Sequence, residues 1–309
     1  MVIQDKELHN LIAFSIRKLV DSKIDVSSNI FKDDKLLQEL QEIAGNEVVK
    51  KIYIPNHLAW GDNLIFPSYF TKIFNQIPLI AAQTDMVGEG VFKLLEESLK
   101  VVYPVKRETG EDLKNFLKDT EDHIRTGRNV VVYGQGTRQR VGDKPYDFKD
   151  AVFGAVKKIK EEVLVIPVSL THLYIPEVNA LSTKKSSSFK VSKLISYLGG
   201  FSKSHIHFSK PISSLNYKSR KDLRSAVVDE IKKNVRITPN NILAQAISLK
   251  QGSLEERIDF VVNSIAPFYD KFLTNAVTLK QIQNYSQINE KSDGLLIDYF
   301  KSQTEHLFN

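Results

Sequence analysis

The stretch NVVVYGQGTRQRVGDKPYDFKDAVFGAVKKIKEEVLVIPVSLTH, residues 129–172, decides the fold. It opens on a strand-like apolar run, NVVVYG, and passes through a turn rich in glycine and arginine. It continues as the helix-like DFKDAVFGAVKKIKEE and ends on a second apolar run, VLVIPVSLTH. A strand, a helix and a strand in this order make a crossover unit, and its repetition indicates a sheet of buried, largely parallel strands. Upstream, KVVYPV (100–105) reads as another strand, and EDLKNFLKDTEDHIRTG (111–127) as an amphipathic helix closed by Gly127. Downstream, HIHFSKPI (205–212) reads as a last strand and SRKDLRSAVVDEIKKNV (219–235) as a helix. Pro167 brings no N–H to a ladder, so it belongs near a strand end or where one side of the ladder is open.

The flanks are different in kind. Over residues 6–45 the apolar positions Leu8, Leu11, Ile12, Ile16, Leu19 and Val20 recur at helical spacing, and KDDKLLQELQEI repeats the pattern. A β-rich run, VVKKIYI (48–54), then meets Pro55, and a helix is expected over 64–76. Residues 237–309 read as helical throughout. The expected architecture is therefore α/β: a mostly parallel central sheet flanked by helices, with N-terminal helices and an all-helical C-terminal tail. Its parts are a helical segment over 1–45, an α/β domain over 46–235 and helices packed on it over 236–309. Within this, 182–204 is a Ser/Lys-rich insertion. Its Val191, Leu194, Ile195, Leu198 and Phe201 form one apolar face flanked by lysines, a composition suited equally to a membrane interface and to packing on the protein's own core.

The chain has 309 residues, no cysteine, and 43 Lys+Arg against 37 Asp+Glu, a formal charge of +6. Without cysteine there is neither a disulfide framework nor a thiolate metal site. No apolar run reaches the roughly 20 residues needed to span a bilayer, and MVIQDKELHN lacks the positive start of a signal peptide. A cytoplasmic protein, peripheral at the membrane face, is expected. The modest positive excess suits anionic headgroups, phosphorylated ligands or acidic carriers.

Chemistry concentrates in three turns. In PNHLAWGD (55–62), His57 lies at a strand-to-helix junction, five residues before Asp62. On a continuous helix the two side chains would diverge by about 140°. Across a junction, a carboxylate in the first helical turn can reach back and orient the imidazole as a base. In YPVKRETG (103–110), Lys106 and Arg107 follow a strand, and in YGQGTRQR (133–140) so do Gly134, Gly136, Thr137 and Arg138. Strand carboxyl ends converge on the ligand crevice of an open α/β sheet. Glycine lets the backbone approach a ligand, and arginine grips phosphate in bidentate fashion. Lys149, in PYDFKD (145–150), adds a fourth cation. No nucleic-acid motif is present, and the cations sit in turns rather than along one helix face.

In order and spacing these segments resemble the motifs of the glycerolipid acyltransferase superfamily, the glycerol-3-phosphate and 1-acylglycerol-3-phosphate O-acyltransferases. NHLAWGD is similar to its first motif (His, four residues, Asp), and YPVKRETG to its second. YGQGTRQRVGDKPYDFKDAVFGA is similar to the third, FPEGTRS followed by a basic segment, and VIPVSLTH to the fourth. The resemblance covers roughly 50–215 and implies a thioester donor, carried by coenzyme A or acyl carrier protein, and a glycerol-phosphate acceptor. It further implies His57 as general base and Asp62 as its orienting partner. Arg107, Arg138, Lys149 and Lys106 would hold the phosphate, and Gly134, Gln135, Gly136 and Thr137 would shape the turn. It requires no cofactor and no metal. Gln135 stands where the family has Glu, so hydrogen bonding is kept and a negative charge is not. Leu58 and Ala59 stand where Ser or Arg often follows the histidine. The tail segment VRITPNNILAQAISL (235–249) looks like one that follows the catalytic domain of glycerol-3-phosphate acyltransferases, which puts sn-glycerol 3-phosphate ahead of lysophosphatidate or another lysophospholipid as acceptor. An inactive lipid-binding relative is the alternative that Gln135 leaves open.

Overall fold

The computed structural model describes residues 25–59, 61–83, 102–105, 109–137, 139, 143–173, 175, 203–265, 280, 282–283 and 286–307. In chain order its elements are β1 (Asp25–Ser28), α1 (Asp34–Gly45), β2 (Lys51–Pro55), α2 (Asp62–Phe74), β3 (Leu79–Gln83), β4 (Val102–Val105), α3 (Gly110–Arg125), β5 (Val130–Val131), α4 (Asp150–Lys158), β6 (Leu164–His172), β7 (Lys203–Phe208), β8 (Ile212–Ser213), α5 (Arg220–Asn234), α6 (Pro239–Ser248), α7 (Leu254–Ile265) and α8 (Gly294–Thr304).

The strands form one sheet in the order β1-β7-β6-β2-β5-β3-β4, with β8 also paired to β6. Neighbours are parallel except where β7 and β8 meet β6. The fold is thus α/β around a mostly parallel sheet. One expectation fails: Asp25–Ser28, read from periodicity as part of a helical run, is a strand on the sheet edge beside β7. The expected 182–204 helix lies outside the described residues, apart from Lys203 and Ser204, which begin β7.

Alternation along the strands divides the core in two. Tyr53, Ile166, Val168, Leu170, Ile206 and Phe208 face Leu40 of α1 and Phe66 and Phe70 of α2, and residues of α6, α7 and α8 join the same cluster. Ile52, Ile54, Val130, Val132 and Val165 face α3, α4 and α5 through Phe116, Phe153 and Val227. Pro167 sits in mid-strand, opposite Ile54 of β2. Its carbonyl accepts from Ser209 N at 3.0 Å on the other side, where β8 pairs only with 164–165 and β7 only with 168–172. The missing N–H falls in the gap between those two pairings. Helix starts follow local chemistry: Thr109–Asp112, Ser219–Asp222 and Thr238–Asn241 each make a reciprocal capping box. Gly127 ends α3 at φ +70°, where a Cβ would collide with Glu47 O at 1.6 Å.

On the α5 face of the sheet, Ser169 and Thr171 lie opposite His207 and His205. Burial, and then the Arg236 guanidinium, pushes the His205 imidazole down to about 3 and His207 down to about 4. The unfolded chain takes up these protons near pH 6.5. Their contribution to stability is therefore complete above that pH and is lost as pH falls through the lower folded values. Thermal unfolding followed from pH 7 to pH 5 is expected to show a falling Tm, up to about 1.4 kcal/mol per pH unit for each ring. The double substitution His205→Gln/His207→Gln should flatten that slope.

Candidate active site

The site begins where β2 leaves the sheet. Pro55 closes the strand, and the Asn56 side chain continues the ladder in its place: Nδ2 donates to Leu170 O at 3.0 Å, and Oδ1 accepts from Leu170 N at 2.6 Å. The backbone N–H of Asn56 also donates to Val168 O, at 3.3 Å. Pinned to β6 this way, the chain turns into α2, whose first residue is Asp62.

Asp62 is fully buried and, among the described residues, accepts from four donors. Its Oδ2 accepts from His57 Nδ1 at 2.8 Å, Leu58 N at 2.8 Å and Ala59 N at 2.9 Å, while Oδ1 accepts from His172 Nε2 at 2.5 Å. Burial alone would push this carboxyl up. The two imidazoles, His172 foremost, override it and hold the group well below the usual carboxylate range. An ionised Asp62 can only accept, so His57 bonds it through Nδ1–H, and Nε2 carries the lone pair of the neutral ring. That arrangement can remove a proton from a hydroxyl.

A turn after β5 holds the imidazole from the other side. His57 stacks on Tyr133, with ring centroids 4.2 Å apart and planes 24° apart. Its backbone N–H donates to Gln135 Oε1 at 2.6 Å, and its carbonyl accepts from Gln139 N at 3.0 Å. Gln135 therefore supplies an acceptor that an amide provides as well as a carboxylate does, and its buried Nε2 has no partner among the described residues. Gly134 N donates to Pro55 O at 3.1 Å and its carbonyl accepts from Lys149 N at 2.8 Å. A Cβ there would lie 2.1 Å from the Phe148 ring, so only glycine fits. Gly136 takes φ +75°, the left-handed region, and Thr137 follows it in the same turn.

Of the residues singled out from the sequence, His57, Asp62, Gly134, Gln135 and Gly136 are brought together. Lys149 is exposed, precedes α4 and pairs with Asp147 at 2.5 Å. Lys106, Arg107 and Arg138 lie outside the described residues. The sequence reading missed His172, Tyr133 and Asn56. A signal for His172 was present: it ends the apolar run VLVIPVSLTH, and the carboxyl ends of parallel strands collect at one edge of the sheet. Among the described residues no three His, Asp or Glu side chains gather in a metal-holding arrangement.

A sequence model of the Acyltransferase family matches residues 41–171. No curated protein matches the chain. Among solved structures the chain is similar to the 1-acyl-sn-glycerophosphate (LPA) acyltransferase PlsC from Thermotoga maritima, at 16% identity and a TM-score of 0.48 over 75% of this chain and 82% of that one. His57, Asp62 and the Gly134–Thr137 turn all lie inside the stretch that the Acyltransferase model matches, and that match supports the superfamily its four motifs resemble.

Proposed function

We propose that this acyltransferase moves a fatty acyl group from a thioester to a hydroxyl of sn-glycerol 3-phosphate, a step of phospholipid synthesis. The observation that carries the proposal is the His57–Asp62 pair, 2.8 Å apart at the carboxyl end of a central strand. In the proposed reaction His57 Nε2 takes the acceptor's hydroxyl proton as its oxygen attacks the thioester carbonyl. The tetrahedral intermediate then breaks its C–S bond, and the imidazolium proton passes to the departing thiolate, giving ester and free thiol. The thioester is already activated, so base, orienter and phosphate clamp are sufficient chemistry. Arg107 and Arg138, with Lys106 and Lys149, are the proposed clamp, and Lys149 would exchange Asp147 for the phosphate.

The tail segment supports glycerol 3-phosphate over its 1-acyl derivative. Action at a membrane surface is part of the proposal, supported by the excess of basic residues; among the described residues no helix is long and apolar enough to cross a bilayer. The test offers glycerol 3-phosphate and 1-acylglycerol 3-phosphate in competition, with acyl-coenzyme A and with acyl carrier protein, and identifies products by mass spectrometry. A predominance of 1-acylglycerol 3-phosphate among the products is expected. A predominance of diacylated product would transfer the role to the second acceptor, and no acyl ester from either would end the proposal.

A further inference from the structure

We propose that His172 is a positioning residue of this site, sharing the Asp62 carboxylate with His57 and thereby setting the basicity of the His57 ring. The inference rests on reading His57 as the base, and it adds a third member to the pair on grounds of geometry.

His172 ends β6 and is 110 residues away from Asp62 in the chain, yet its Nε2 lies 2.5 Å from Asp62 Oδ1. On the same face of the sheet Ser204 of β7 stands directly opposite, and its Oγ is 2.8 Å from His172 Nδ1. The result is a continuous line of bonds, Ser204–His172–Asp62–His57, running across β7, β6, the start of α2 and the end of β2. The carboxylate only accepts, so both imidazoles face it with an N–H. Ser204 Oγ, which can donate or accept, completes His172 on its far side in either protonation state.

The division of the two oxygens matters. Oδ2 is shared by His57 and two backbone N–H groups, whereas Oδ1 has His172 as its donor. Removing that donor leaves charge on a fully buried oxygen without its hydrogen bond. Two consequences follow. The carboxylate can rotate, so its hold on His57 loosens. It also becomes more basic, so it stabilises the His57 imidazolium more strongly and His57 keeps its proton to higher pH. Among the described residues the titratable groups around this carboxylate are His57 from beyond β2, His172 from β6 and the Tyr133 phenol from beyond β5. Among the described residues His172 is the donor to Oδ1, the oxygen that His57 does not bond. It therefore acts through Asp62.

The test measures the His57 ring directly. Histidine-labelled protein is titrated by NMR, with the His57 signal identified by its loss in His57→Ala. In His172→Phe the midpoint of that signal should rise by about one pH unit. In His172→Gln, whose amide nitrogen can take the place of the donating Nε2, it should stay near the wild-type value. The acidic limb of the kcat profile should shift upward in parallel. With palmitoyl-coenzyme A and glycerol 3-phosphate or its 1-acyl derivative, kcat near neutrality should fall on the order of tenfold to a hundredfold with the acceptor KM unchanged. An unmoved midpoint in His172→Phe, or a midpoint in His172→Gln that follows the Phe variant, overturns the inference. Should His172→Phe fail to fold, Ser204→Ala serves in its place: a smaller rise in the same direction is expected, and no rise counts against the inference. Wild-type transfer rates in His57→Ala would instead sink the reading of His57 as base, and would leave the NMR result to judge the coupling alone.

Discussion

Replacing His57 by alanine is expected to lower kcat for acyl transfer by about 10²–10⁴-fold, the usual contribution of a positioned general base. The fold should survive the change. His57 is buried at the strand-to-helix junction outside the apolar clusters, and its loss removes the stack on Tyr133 and a donor to Asp62. The remaining three still satisfy that carboxylate. Single-turnover transfer and thermal unfolding on the same preparation separate the two effects. A variant that melts like the wild type but transfers at the wild-type rate would remove His57 from the chemistry.

Asp62→Ala should do damage of two kinds. Activity should fall about as far as in His57→Ala, because the imidazole loses the group that fixes its tautomer and direction. Stability should fall as well, since His57 Nδ1, His172 Nε2 and the amides of Leu58 and Ala59 lose their shared acceptor. A buried donor left without a partner costs about 1–3 kcal/mol, so four together represent a large part of the 5–15 kcal/mol that holds an ordinary domain together. Asp62→Asn should be intermediate in stability, keeping one oxygen while turning an NH₂ toward groups that donate. The wild-type pair also carries a pH signature. Asp62 is held below its unfolded value, so its contribution is complete above about pH 4 and lost as pH falls below that. The Asp62→Asn variant should lack that acid-side loss, which calorimetry between pH 5 and pH 3 would detect.

The crossover unit and the His57–Asp62 junction were legible because both are local. Apolar runs of strand length separated by a helical period leave few alternatives for residues 129–172, and a histidine before a helix with a carboxylate in its first turn is a short-range arrangement. Strand β1 was not legible. Asp25–Ser28 is four residues, DVSS, with one apolar side chain, and its strand state comes from pairing with β7 some 180 residues later. His172 was hidden for the same reason, since its role depends on β6 lying beside β2 and on strand parity turning its ring to the α2 face. Gln135 is a different case. The sequence showed the lost charge, and only the fold shows that the retained oxygen meets the His57 amide.

Pro167 bears on how reliably this constellation is assembled. A strand that carries the side chains of a reaction centre must find one alignment with its neighbour, because a slip of two residues keeps every apolar side chain facing inward and is hard to reject on burial alone. Here a slip of β7 toward the start of β6 would set the His207 carbonyl against a nitrogen that has no hydrogen to offer. The imino acid thus acts as a stop in the ladder, discouraging misaligned sheets in which Ser204 and His172 would never meet.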